Sequence, residues 1–183
     1  MSPLELYMTA PLGSKIRFSN GEPRPPECFT RKVAAWENDN GTGTLVGCQP
    51  GCDRLGYSMP ATFGLHLATY SSGGVPILTV RRIYSVAGKL DCEILERPAA
   101  GMARILTGST DRGEMQHLAA NEEAARQWLT EPSAFQLGMR CDRYCPVHIW
   151  VVDGLGQAEV RQREMLCQLC LALGDKAREI VGG

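Results

Sequence analysis

The sequence predicts an α+β fold. A single domain over residues 1–183 is expected, with a mainly antiparallel sheet of about four to six strands packed against two or three helices. Three observations carry this. Apolar residues make up 44% of the 183 residues and charged residues 21%, the balance of a globular chain, so one packed core is expected rather than disorder. Period-two apolar segments bounded by turn residues recur through the middle of the chain. Segments of helical period near residues 27–38, 114–132 and 158–172 supply the layer that covers the sheet.

The elements follow in order. Residues 1–26 are punctuated by Pro and Gly; Lys15–Ser19 reads as a short strand and Asn20–Glu27 as a loop. Between Glu27 and Asn38, Phe29, Val33 and Trp36 recur on one helical face, with Pro26 suited to the start and Gly41 to the stop. A hairpin turning at Asn40-Gly41 is the competing reading, and the helix is preferred. Residues 44–56 carry Cys48 and Cys52 through a Pro50-Gly51 turn, a loop that points two thiols one way. Thr62–Tyr70 alternates, with Phe63, Leu65 and Leu67 on one face and His66 and Tyr70 on the other. Val75–Val86 and Leu90–Leu95 continue as strands of a β-meander, and Leu90, Cys92 and Ile94 share a face that makes Cys92 a buried core thiol.

Gly101–Thr110 carries no decisive period. Glu114–Pro132 is expected to be helical throughout. Asp111 with Glu114 and Asn121 with Glu122 and Glu123 resemble caps, and Met115, Leu118, Ala125, Trp128 and Leu129 form an apolar face. Val147–Val152 is apolar on both faces, which predicts an inner strand ending in the turn at 153–156. A final helix is expected from Ala158 to about Ala172, its second half apolar nearly all round, with a short tail helix at 175–181.

Function is read chiefly from the eight cysteines. Six form close pairs, Cys48 with Cys52, Cys141 with Cys145, and Cys167 with Cys170. Two such pairs brought together make a closed tetrahedral site, so a structural zinc ion is expected at Cys141, Cys145, Cys167 and Cys170. Cys48, Cys52 and His148 are the alternative ligands. A closed site leaves no position for substrate, and its contribution is to folding. No ferredoxin-type spacing is present. Cys167 and Cys170 fall late in the expected helix, where the dipole disfavours a thiolate, which argues against a thioredoxin-like dithiol.

Other constellations are weaker. Glycine clusters at 40–43, 71–74 and 153–156 match neither a P-loop nor a dinucleotide fingerprint. His66 and Tyr70 lack a convergent acid or nucleophile and read as structural. Glu122 and Glu123 suit a helix's first turn better than acid–base chemistry. A net charge of −1 without single-sign runs argues against general polyanion binding, although Arg81 and Arg82 are candidates for a local basic patch. The N-terminal segment lacks the basic and apolar regions of a secretory signal, and no apolar run reaches the roughly 20 residues that span a bilayer. A reducing cytoplasm is therefore expected, where cysteines favour metal over disulfides. The excess of Arg (15) over Lys (4) fits a GC-rich bacterial genome.

These features predict a non-enzymatic, zinc-stabilised protein-binding or regulatory protein, with a protein partner and no membrane. An accessory protein of a bacterial mobile element is the expected setting. A cysteine-dependent enzyme, thiol oxidoreductase or hydrolase, is the first alternative, and a zinc-assisted nucleic-acid binder the second.

Overall fold

The computed structural model describes residues 1–73, 75–107, 113–130, 147–152 and 158–162, in a mixed α+β arrangement. The chain divides into two units, residues 1–69 with 79–98 and residues 70–78 with 99–183.

The chain opens with a helix that its Pro- and Gly-punctuated sequence did not suggest. Helix α1 (Pro3–Thr9) is started by a capping box, in which Glu5 N donates to Ser2 Oγ at 3.2 Å and Ser2 N donates to Glu5 Oε2 at 2.7 Å. Pro3 occupies the first turn, where no N–H is needed, and Leu6 is fully buried. Strand β1 (Lys15–Ser19) follows as expected. Helix α2 (Thr30–Asp39) confirms the helical reading, and Gly41 opens the next strand instead of turning a hairpin. Its apolar face is not core: no residue of α2 is buried, and Trp36 Nε1 donates to the Glu22 carbonyl at 2.8 Å. Asn40 ends the helix. Its amide donates to Trp36 O and Asn20 Oδ1 and accepts from Ser19 Oγ and Asn20 N, tying α2 to β1.

Strands β2 (Gly41–Gln49), β3 (Cys52–Arg54), β4 (Tyr57–Met59), β5 (Thr62–Ser72), β6 (Val75–Ser85) and β7 (Asp91–Glu96) complete this part of the chain. The five-stranded sheet runs β6-β5-β2-β1-β7, and β3 with β4 form a separate two-stranded ribbon. The expected meander is corrected. Strands β5 and β6 are neighbours, but β7 crosses to the opposite edge and pairs antiparallel with β1, setting Phe18 opposite Cys92 and Ile16 opposite Ile94. The reason is burial: only beside β1 does the apolar face of β7 join the core of Leu6, Ile16, Phe18, Leu45, Phe63 and Leu65. Cys92, 2% exposed, is the core thiol its alternation predicted. Tyr84 of β6 leans on Phe18 and Phe63, with ring centroids 5.2 and 5.7 Å away. Gly43 of β2 is required by close approach. A Cβ there would lie 2.8 Å from Leu67 Cδ2 and 3.0 Å from the His66 carbonyl oxygen.

In the second unit, β8 (Ala103–Thr107), β9 (Glu114–Ala119), β10 (Val147–Val152) and β11 (Ala158–Gln162) form a four-stranded sheet in the order β11-β10-β8-β9. Every register described in it is antiparallel. Strand β10 is an inner strand, as its two-sided apolar pattern predicted. Two helical expectations are corrected. Residues 114–119 are a strand, because their backbone completes the ladder with β8, and only Met115 and Ala119 of it are buried. Helix α3 (Glu122–Thr130) begins after Asn121, whose Oδ1 accepts from Ala124 N at 2.8 Å. Residues 158–162 pair with β10 instead of starting a helix. Ala103, Ile105, Ala119 and Ala125 form the local core, and Trp128 stacks on His117 at 4.6 Å. The tail helix expected at 175–181 and the remainder of the one expected to 172 lie outside the described residues.

Candidate functional site

Of the eight cysteines, Cys28, Cys48, Cys52 and Cys92 lie among the described residues, Cys28 exposed and Cys92 buried. Cys141, Cys145, Cys167 and Cys170 lie outside the described residues. His148 stands on β10 opposite Leu106. Cys48 and Cys52 are strand residues rather than the arms of one loop: Cys48 sits in β2 opposite Phe63, and Cys52 in β3 opposite Met59. Among the described residues, no group of three or more His, Cys, Asp or Glu is placed to hold a metal.

The electrostatics of the two core-facing thiols oppose nucleophilic chemistry. Cys48 packs against the core, and burial pushes its thiol up to about 11. At pH 7 that leaves a thiolate fraction of about 1 in 10,000. Burial also raises the Cys92 thiol, and the nearby terminal ammonium and Asp91 act on it more weakly in opposite directions. The Cys92 backbone is occupied too: its carbonyl accepts from the Met1 ammonium at 2.8 Å, and its N–H donates to Met1 O at 2.9 Å.

His66 projects from β5 on the face opposite the core. Its Nε2 lies 2.8 Å from Thr69 Oγ1. Burial first, and the Arg81 guanidinium second, hold its pKa below the ordinary value, so the ring is neutral at pH 7. Arg82 points the other way and donates to the carbonyls of Glu37 and Asn38 and to Asn38 Oδ1. Adjacent strand residues face opposite sides, so Arg81 and Arg82 do not converge on one phosphate.

Among the described residues, the first unit holds two shallow depressions. One, about 370 Å³, is floored by Arg17, Ser19, Cys92 and Glu93 and crossed by the Arg17–Glu93 ion pair, both of whose side chains are over half exposed. The other, about 300 Å³, lies between Asn20, Asp39, Tyr84 and Lys89. The Tyr84 hydroxyl, its pKa raised by burial, donates to Asn38 O at 3.0 Å. Neither depression pairs a nucleophile with a base in the manner of an acyl-transfer site.

Exposed apolar surface is more informative. Strand β6 is an edge of the five-stranded sheet among the described residues. It exposes Ile77 (71%), Leu78 (55%) and Ile83 (76%). The β3–β4 ribbon exposes Leu55, Tyr57 and Met59 around a turn in which Gly56 has φ +84°. Sequence reasoning identified β6 as a strand but missed its place at an edge. The available signal was that Ile77 and Ile83 share a parity opposite to that of Tyr84, which faces the core.

Residues 1–139 match the family described as "Uncharacterised conserved protein UCP036055", and the chain belongs to that family. The matched part contains β6, Cys48 and Cys52, whereas Cys141, Cys145, His148, Cys167 and Cys170 follow it. No curated protein matches the chain, and no solved structure matches it.

Proposed function

We propose that this chain is a non-enzymatic binding or regulatory protein that acts through protein contacts, with its C-terminal segment stabilised by zinc. The observation that carries the reading is the apolar exposure of Ile77, Leu78 and Ile83 on β6, an edge strand among the described residues. The protonated state of Cys48 supports the non-enzymatic half. The zinc half rests on the spacing of Cys141, Cys145, Cys167 and Cys170. A reducing cytoplasm suits eight cysteines, and a bacterial accessory role, on a mobile element, rests on composition. No described helix is long and apolar enough to cross a membrane.

Elemental analysis with native mass spectrometry of the reduced full chain, followed by thiol labelling, tests the reading. About one tightly held zinc per chain is expected, with no cysteine reacting faster than a free thiol. A Cys167→Ser chain is expected to lose the metal and yield less folded protein. A metal-free protein with one hyper-reactive cysteine overturns the reading in favour of a cysteine-dependent enzyme.

A further inference from the structure

We propose that the depression of about 300 Å³ between the end of α2 and the turn joining β6 to β7 binds a free α-amino acid with an apolar side chain, its ammonium on Asp39 and its carboxylate on Lys89. This is a small-molecule site, and it stands apart from the protein-contact reading above.

The walls are already in place, and all of them belong to the first unit. On one side, Asn20 and Asp39 flank the helix end that the Asn40 amide fixes through four hydrogen bonds. On the other, Ala87 N donates to Ser85 Oγ at 3.1 Å and Gly88 N to the Ser85 carbonyl at 3.0 Å, which closes the turn. Tyr84 and Leu90 also line the cavity, and both pack against the core. A ligand therefore meets a formed cavity, at the small end of the range for ligand pockets, and has little chain to order.

The charges select the ligand. Among the described residues that line the cavity, Asp39 is the only anion and Lys89 the only cation. Among the described residues, neither side chain makes a hydrogen bond or ion pair, with the other or with a neighbour. Asp39 ends α2, where the helix dipole adds to the attraction for a cation. Burial raises the Tyr84 phenol most; Arg82 opposes that rise and the Asp39 carboxylate adds to it, which places the carboxylate near the hydroxyl. Tyr84 gives its proton to Asn38 O, so its oxygen keeps a lone pair for an ammonium. Arg82 is turned to the Glu37 and Asn38 carbonyls and does not line the cavity. A dipolar ligand satisfies both charged side chains, whereas a ligand of single charge leaves one of them unmatched. Tyr84 and Leu90 add apolar surface that only a side chain on the ligand would cover.

Ligand-observed NMR titration of the reduced full chain with leucine, N-acetylleucine and leucinamide tests this. Leucine is expected to saturate one site per chain. N-acetylleucine, without the ammonium, and leucinamide, without the carboxylate, are each expected to bind about tenfold more weakly. Asp39→Asn is expected to weaken leucine by about the same factor and to abolish the preference for leucine over N-acetylleucine. Lys89→Gln is expected to abolish the preference over leucinamide in the same way. Both variants are expected to keep the wild-type melting temperature, because both side chains are exposed. Leucine that does not saturate, or that binds no better than both of its singly charged derivatives, overturns the proposal. So does leucine binding that Asp39→Asn and Lys89→Gln leave unchanged. None of these results bears on the zinc and thiol-labelling outcomes, so this proposal and the broader reading fail separately.

Discussion

Alkylation of Cys48 in the native protein measures how far the fold suppresses thiol chemistry. Burial moves its pKa from the ordinary 9.0 to about 11. Below both values the thiolate fraction falls tenfold per unit, so the shift alone reduces reactive thiolate about 100-fold at pH 7. A more basic thiolate is a better nucleophile, with a Brønsted slope of about 0.4–0.5, which returns about tenfold. The net expectation is labelling about tenfold slower than an ordinary exposed thiol, slowed further by restricted access to a half-buried side chain. The assay is a time course with iodoacetamide on the native chain, read peptide by peptide, with exposed Cys28 as the internal reference. Between pH 7 and pH 9 the Cys48 rate should keep rising about tenfold per pH unit. Cys48 labelling as fast as Cys28 at pH 7, or levelling off below pH 9, would refute the burial argument and return the chain to the cysteine-enzyme class.

The remaining expectations concern stability. Asn40→Ala removes four hydrogen bonds from a buried side chain. A loss of about 2–3 kcal/mol in urea unfolding is expected at about 1 kcal/mol net per bond, reduced for partial exposure of the partners; a loss under 0.5 kcal/mol contradicts the clasp. Gly43→Ala drives a Cβ to 3.0 Å from the His66 carbonyl, which cannot swing aside as the Leu67 side chain can. A cost of about 1–3 kcal/mol is expected as a lower melting temperature, and an unchanged one shows that β2 and β5 have room. Alkaline stability follows the sign of the thiol shift. The native state holds the Cys48 proton more tightly, so this stability is whole below pH 9.0 and lost as pH rises through about 11. Cys48→Ala should flatten that decline relative to wild type; raised Cys92 and Tyr84 push the same way and keep the rest of the slope.

Some of this architecture was legible because its causes are local. Alternation along Thr62–Tyr70 and in the Leu90–Leu95 run put Phe63, Leu65 and Cys92 inward, and those residues are buried. The 3.6-residue pattern before Asn40 was a helix, and Asn121 with Glu122 and Glu123 marked a true start. Helix α1 was missed although Ser2 and Glu5 spell a capping box, because Pro3 was read as punctuation rather than as a first-turn residue. Residues 114–119 misled in the opposite way. Met115 and Leu118 fit a helical face over six residues, too short a run to separate the two periods, and the waiting edge of β8 decided the matter.

The sequence by itself determined which residues are apolar at which period, and so the mixed α+β class, the inward parity of most strands and the core position of Cys92. It also set the spacing of the cysteine pairs on which the zinc proposal stands. Only the tertiary structure decided which strand lies beside which. It sent β7 across to β1, put Cys48 and Cys52 on different strands, and left β6 at an edge with Ile77 and Ile83 exposed. The physical reason is that side-chain parity is a property of a strand's own backbone, whereas a neighbour is a choice among many distant segments. That choice is settled by which arrangement closes the core and satisfies the ladder's hydrogen bonds.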